Sequence, residues 1–236
     1  MISQPFDCYQ GLFVRQGQLG QQDMNVVNEV LLGNCYHTQL RTSVGPGEFV
    51  VDIGAHIGSF AHVWHQKNPL AKIACIEACP ENLPVLQANV EQYAMVCHAA
   101  CTYQPGELSL LNSVREGGTA TGGSIVVSAT QPDIDRIHPY WTDRRPLRKI
   151  TLEEILLDMG GDLIHVLKLD CEGSEFSILS NIDWIDQHVR FICGEYHGRQ
   201  RWDQLRTAKY SHWHFGDMKG GDLGIFHLAN PRYLKG

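Results

Sequence analysis

Four acidic residues each stand at the end of a short apolar stretch of the sequence: Asp52, Glu77, Asp170 and Glu195. Short apolar stretches bounded by turn-forming residues are typical of buried strands. If these strands are parallel, their carboxyl ends meet at one edge of the sheet, which is where such sheets bind ligands. We therefore expect the four carboxylates to converge on one site, where they can accept hydrogen bonds from hydroxyls or attract cations.

The first of these acids lies at the start of a loop that contains two glycines. Residues 51–58 read VDIGAHIG, so that Asp52 is followed by Gly54, His56 and Gly58. Glycine lets the backbone approach a ligand closely, but these glycines lack the register of the Gly-x-Gly-x-x-Gly dinucleotide fingerprint. A carboxylate at Asp52 would also repel the pyrophosphate of NAD. S-Adenosylmethionine carries an ammonium and a sulfonium and no phosphate, so we predict that cofactor, with this loop around its methionine part.

The second acid, Glu77, follows at the distance along the chain expected for a residue that binds ribose hydroxyls. One carboxylate can accept hydrogen bonds from both hydroxyls of a ribose. We therefore predict that Glu77 and its neighbour Ala78 are cofactor-binding residues.

The remaining two acids lie near a histidine. The helix dipole stabilises a carboxylate at the start of a helix. That effect alone accounts for Glu175, but not for Asp170, which lies at the end of a strand. Glu195 and His197 are two residues apart on an extended segment, so their side chains would point the same way. They could share a proton, join Asp170 in binding a divalent ion, or simply be polar residues in solvent. We predict His197 as the general base, with Asp170 as the second choice, Glu195 as a further catalytic residue, and a metal site as the less favoured alternative. Asp170 is also predicted to be a cofactor-binding residue.

The composition restricts the function further. The chain has 236 residues, 43% apolar and 19% charged, with a formal net charge of -7. That charge argues against a sequence-blind nucleic-acid binder, which needs a basic face. We find no apolar stretch long enough to span a membrane and no secretory signal at the N-terminus, so we expect a cytoplasmic protein. The eight cysteines form no Cys-x-x-Cys pair, which favours buried thiols over a zinc site.

The elements that must position these residues alternate along the chain. Hydrophobic periodicity predicts strands at 49–52, 71–76, 95–100, 163–169 and 189–194, then a final pair at 213–215 and 224–228. It predicts helices at 24–32, 59–68, 80–93, 151–160, 174–181 and 201–208. Two further strands are expected at 107–111 and 124–128, with a flexible loop at 117–123 and an irregular segment at 129–149. This alternation indicates an α/β fold with a mostly parallel sheet and helices on both faces.

Three segments together resemble the FkbM family of S-adenosylmethionine-dependent methyltransferases. They are VDIGAHIG at 51–58, CIEACPEN at 75–82 and LKLDCEGSE at 167–175, the last being similar to the Lys-x-Asp-x-Glu-Gly-x-Glu signature of the family. The resemblance implies a Rossmann-like, seven-stranded methyltransferase sheet whose last strand is antiparallel. It also implies O-methylation of a sugar or secondary metabolite, and it places Ala100 and Cys101 where the adenine is usually held.

We accordingly expect residues 1–44 to form a helical cap over the cofactor site, and residues 45–236 to form the methyltransferase domain with a substrate lid at 113–149. The expected partner is a small-molecule acceptor, with no nucleic acid and no membrane. The oligomeric state stays open, a dimer being one alternative. The rival functions are an NAD-dependent oxidoreductase, a non-catalytic nucleotide-binding module, and an N- or carboxyl-methyltransferase.

Overall fold

A seven-stranded sheet forms the centre of the protein. The computed structural model describes residues 6–33, 35–36, 44–112, 124–128, 143–218 and 221–234. From one edge to the other, the sheet consists of β13 (His214–Met218), β14 (Leu223–Ala229), β12 (Phe191–His197), β11 (Ile164–Leu169), β3 (Phe49–Ile53), β4 (Lys72–Glu77) and β5 (Ala94–His98). Strands β12, β11, β3, β4 and β5 are mutually parallel, whereas β14 runs antiparallel to both of its neighbours. The predicted fold class, including the antiparallel last strand, is confirmed.

Helices cover both faces of this sheet. They are α1 (Gly17–Val27), α2 (Ser59–Lys67), α3 (Leu83–Val90), α4 (Leu152–Asp158), α5 (Glu175–Leu179), α6 (Ile182–His188) and α7 (Arg199–Lys209). Because successive strand residues point to opposite faces, Val50 of β3 packs in one core cluster with Phe60 and Leu86, and Val51 packs in the other with Ile155. The two clusters fix the sheet from both sides and leave its carboxyl edge free for a site. No helix in the described ranges has the length and apolar character needed to cross a membrane.

A smaller antiparallel sheet stands beside the carboxyl edge. Strand β7 (Leu108–Asn112) pairs with β8 (Ser124–Ser128) on one side and with β9 (Asp143–Leu147) on the other. A two-residue pair, β6 (Ala100–Cys101) with β10 (Lys149–Ile150), joins it to the main fold. Residues 143–149 were expected to be irregular, and that part of the prediction is wrong because cross-strand pairing orders a polar segment that carries no alternating pattern. The expected loop at 117–123 and the rest of the expected lid, apart from β8, β9 and β10, lie outside the described residues.

The N-terminal segment begins with a hairpin of β1 (Asp7–Tyr9) and β2 (Leu12–Val14). Helix α1 follows and continues as a π-helical turn over Asn28–Leu32. Leu12, Val14 and Val27 pack against Ile57 of the glycine loop and Val85 of α3. The segment is therefore anchored directly on the elements that carry the candidate site.

Candidate functional site

A cavity of about 240 Å³ opens at the carboxyl edge of the sheet. Three of the four acids at strand ends line it, namely Glu77, Asp170 and Glu195. His56, Ala78, Ala100 and Cys101 belong to its wall, as do several residues of the N-terminal segment: Val26, Glu29, Val30 and Tyr36. Most of the predicted site residues thus line one cavity, although they come from separate parts of the chain.

Gly54 lets two loops meet at the floor of this cavity. Its φ of +75° lies in the left-handed region, and a Cβ built on it would lie 1.8 Å from the carbonyl oxygen of Asp170. A side chain there is incompatible with the contact between the ends of β3 and β11. Gly58, also predicted to bind the cofactor, is not among the residues that line the cavity, and its predicted contact stays a prediction. A Cβ on it would lie 2.5 Å from Val90 Cγ1, so this glycine permits α3 to pack closely.

Asp52 does not face the cavity, contrary to its predicted contact with the cofactor. Its side chain is 0% exposed, and Lys168 Nζ lies 3.1 Å from its Oδ1. The pairing register of β3 and β11 sets Lys168 directly beside Asp52. Lys168 Nζ also donates to the carbonyl oxygen of Gly54 at 2.5 Å, and Lys168 does line the cavity. Asp52 is therefore paired with Lys168, a cavity residue that was not among the predicted site residues.

Lys168 is held in its charged form. Burial alone would lower its pKa, but the neighbouring carboxylates of Asp52 and Asp170 outweigh burial and raise it. A lysine within a mostly apolar predicted strand is a sequence signal that could have identified it. The floor of the cavity consequently carries a lysine cation that is paired with Asp52 at 3.1 Å and lies 3.9 Å from Asp170 Oδ2.

Glu77 is the most firmly oriented acid of the cavity. Its Oε1 accepts hydrogen bonds from the backbone N–H of Cys79 at 2.8 Å and from Asn82 Nδ2 at 3.2 Å. Its Oε2 accepts from the backbone N–H of His56 at 2.8 Å. Burial raises the pKa of Glu77, and these hydrogen bonds oppose that effect. The carboxylate is thus fixed in direction at the cavity wall.

His56 occupies the centre of the glycine loop in an unusual conformation. Its φ is +52°, which is uncommon for a residue with a side chain. Burial lowers its pKa to about 4, so the ring is neutral at physiological pH. Its Nε2 lies 3.1 Å from Arg15 Nη2 and 3.3 Å from Asp23 Oδ1. Two residues of the N-terminal segment therefore hold the loop, and neither was predicted.

The mouth of the cavity is lined by acids. Asp170 Oδ2 accepts a hydrogen bond of 2.6 Å from the Tyr36 hydroxyl. Burial raises the pKa of Glu195 to about 7, reinforced by the negative charges of Asp170, Glu172 and Glu29. A carboxylate with that pKa is half-ionised at neutral pH and can both take and return a proton.

His197 lies behind this mouth and does not belong to the cavity wall. Its Nδ1 and its backbone nitrogen each lie 3.0 Å from Glu175 Oε1, and its Nε2 lies 3.2 Å from Glu172 Oε2. Burial lowers the pKa of His197, but the Glu175 hydrogen bond and the charges of Glu175, Glu172 and Asp170 outweigh it and raise the pKa to about 9. The ring is therefore cationic at neutral pH. That charge state conflicts with the predicted role of His197 as the general base.

Asp170, Glu195 and His197 also offer a geometry that a divalent cation could use. One potential ligand atom from each lies within 4.8 Å of the others. However, both ring nitrogens of His197 already face carboxylates, whereas a ligating histidine presents one free nitrogen to the metal. The arrangement favours an ion-pair network over a metal site.

Comparison with known proteins identifies the family. A family model described as "Methyltransferase FkbM domain" matches residues 52–218. The chain is 26% identical over 199 residues to "Methyltransferase sdnD" of Sordaria araneosa, covering 71% of each chain. It is 25% identical over 192 residues to "31-O-demethyl-FK506 methyltransferase FkbM" of Streptomyces tacrolimicus, covering 72% of each.

Among solved structures, fibrillarin of Aeropyrum pernix with natively bound S-adenosyl-L-methionine is 9% identical. It matches over 97% of this chain and 83% of its own, with a TM-score of 0.46, and adds nothing to the family assignment. The assignment rests on the family model, which covers well over half of the 236 residues. The chain belongs to the FkbM methyltransferase family.

Proposed function

We propose that the protein is an S-adenosylmethionine-dependent O-methyltransferase acting on a hydroxyl of a small molecule such as a sugar or secondary metabolite. The observation that carries the proposal is Glu195, a carboxylate with a pKa raised to about 7, which lines the same cavity as the oriented acid Glu77. A hydroxyl must lose its proton when it is methylated, so a base with a pKa near the working pH suits such an acceptor.

The cavity residues fit the proposed cofactor. Glu77 would accept hydrogen bonds from the ribose hydroxyls, and the apolar wall of Ala100, Cys101 and Leu110 would face the adenine. The fixed cation of Lys168 would suit the carboxylate of the methionine part. A pyrophosphate would meet the carboxylates of Glu77 and Asp170 instead, which disfavours NAD.

When bound, S-adenosylmethionine supplies a methyl group already activated by its sulfonium. The residues of this chain then have to align the acceptor and remove its proton. Glu195, in its ionised form, would take the proton that the acceptor hydroxyl loses when the methyl group exchanges its bond to sulfur for a bond to oxygen. Asp170, fixed by Tyr36, accepts a hydrogen bond from the acceptor and orients it. The His197 cation stays bound to Glu172 and Glu175 and keeps the carboxylates at the mouth from repelling one another.

Two further observations support a small-molecule hydroxyl. The name of the Streptomyces tacrolimicus relative gives 31-O-demethyl-FK506 as the molecule it methylates, in which an oxygen is the acceptor. The net charge of -7 is unsuited to a nucleic-acid acceptor, whose phosphates a basic surface would have to neutralise.

An acceptor series on one scaffold tests the proposal. Labelled methyl transfer would be measured with matched hydroxyl, amine and carboxylate compounds, with an RNA as a further acceptor. We expect transfer to hydroxyls alone, with a rate that rises with pH through about 7, the pKa of Glu195. Transfer to amines, carboxylates or RNA alone would overturn the O-methyl assignment. Binding of the cofactor without transfer to any of a broad acceptor panel would favour the non-catalytic module.

A further inference from the structure

A buried polar network joins the N-terminal segment to the acid predicted to read the ribose. Its centre is Arg15, which is 8% exposed, beside Asp23, which is 0% exposed. Arg15 Nε and the Arg15 backbone nitrogen both donate to Asp23 Oδ2 at 2.9 Å, and Nη2 donates to Asp23 Oδ1. This bidentate pair holds the guanidinium in one orientation. Arg15 Nη1 and the second N–H of Nη2 remain available for residues of the cavity wall.

The first of these donors sets the direction of an amide. Arg15 Nη1 donates to Asn82 Oδ1 at 2.9 Å. Because a guanidinium only donates, it selects the oxygen end of the Asn82 side chain. The nitrogen end, Asn82 Nδ2, then donates to Glu77 Oε1 at 3.2 Å. Asn82 is 2% exposed, so water does not compete for either bond.

The second donor holds the other side of the same carboxylate. Arg15 Nη2 lies 3.1 Å from His56 Nε2, and the backbone N–H of His56 donates to Glu77 Oε2 at 2.8 Å. The left-handed conformation of His56 is costly for a residue with a Cβ and persists only where neighbours enforce it. One guanidinium thus reaches both oxygens of Glu77, each through one intermediate residue.

We propose that Arg15 is a positioning residue that fixes the Glu77 carboxylate for the paired hydroxyls of the ribose. This inference rests on the proposed function. Arg15 precedes the segment matched by the family model, residues 52–218, so the cofactor site extends into a part of the chain that the family match does not cover. The N-terminal segment contributes to cofactor selection through Arg15 as well as enclosing the cavity.

Calorimetric titration with two ligands tests this positioning role. The ligands are S-adenosylhomocysteine and its analogue lacking both ribose hydroxyls. The variants are Asn82→Ala, which leaves the Arg15–Asp23 pair intact, and Arg15→Lys, which keeps a cation beside Asp23 but cannot reach Asn82 and His56 together. Arg232→Gln, at an exposed arginine of the C-terminal turn, serves as the matched control. Thermal unfolding of each variant shows whether it is folded.

We expect both variants to bind S-adenosylhomocysteine about tenfold more weakly than the parent protein, the order of one hydrogen bond to a charged group. We expect their affinity for the dideoxy analogue to match that of the parent protein, and the double variant to lose no more than Arg15→Lys alone. In turnover, the KM for the cofactor should rise while kcat holds, because the acceptor side is untouched.

An equal loss of affinity for both ligands would overturn the positioning role, since it would show general damage to the site. Unchanged affinity of folded Asn82→Ala for S-adenosylhomocysteine would overturn it as well. If the parent protein bound neither ligand, the proposed function itself would fail and the inference would fall with it. The behaviour of the parent protein therefore separates the two failures.

Discussion

The pKa of Glu195 gives the proposed chemistry a measurable signature. Burial and the charges of Asp170, Glu172 and Glu29 raise this pKa from 4.5 to about 7. With the raised value, about a tenth of the enzyme carries the ionised base at pH 6, whereas with the ordinary value nearly all of it would. We therefore expect activity at pH 6 to be about tenfold below its plateau, and to fall a further tenfold for each pH unit below that.

The assay is the pH profile of kcat/KM for S-adenosylmethionine, which reports the pKa values of the cofactor-free enzyme. Glu195→Gln should abolish the acid limb of the profile, which is the fall of activity at low pH. It should also lower kcat by about 10²- to 10⁴-fold, the range for a lost general base. Two neighbouring variants supply opposite controls. Glu172→Gln removes a negative charge that raises the Glu195 pKa, so the limb should move to lower pH. His197→Gln removes a positive charge that lowers it, so the limb should move to higher pH.

An acid limb that survives Glu195→Gln at the same pH would refute the assignment of this residue as the base. A limb that moves in the same direction in both neighbouring variants would refute the electrostatic explanation of its pKa. A loss of rate in His197→Gln with no movement of the limb would return the catalytic role to His197.

Two further predictions concern the floor of the cavity. Gly54→Ala should abolish binding of S-adenosylhomocysteine because the new Cβ would lie 1.8 Å from a backbone oxygen. The control is Gly47→Ala, which has a similar positive φ but no atom within 4 Å of the new Cβ, so it should lose only about 1 kcal/mol of stability and keep full affinity. Equal affinities of the two variants in titration would contradict the close approach. Lys168→Met should lower the free energy of unfolding in urea by about 3–5 kcal/mol, because it leaves the Asp52 carboxylate buried without its cation. Adding Asp52→Leu should restore most of that loss, and a further additive loss would show that the pair does not act as a unit.

The sequence predicted the strands well because hydrophobic patterning determines which stretches are buried. The strand ends at Glu77, Asp170 and Glu195 consequently identified most of the acids of the cavity. The expectation that the Asp52 side chain faces the cavity was not met, because a position at the end of a strand does not show whether a side chain points into the cavity. The pairing register that sets Lys168 beside it is a property of the assembled sheet.

The charge states at the site depend on distances that only the folded chain provides. His197 reads as an ordinary base in the sequence, yet Glu175 at 3.0 Å and Glu172 at 3.2 Å convert it into a cation. Arg15 was missed for a similar reason, since its contacts with His56 and Asn82 join residues far apart in the chain. Local patterns carry no information about contacts of this range.

The most direct test of the account is calorimetric titration of the protein with S-adenosylhomocysteine, with NAD as the parallel ligand and Glu77→Gln as the variant. We predict micromolar binding of S-adenosylhomocysteine, on the order of −8 kcal/mol, no binding of NAD, and a marked loss of affinity in the variant. Binding of NAD in place of S-adenosylhomocysteine, or equal affinity in Glu77→Gln, would contradict it.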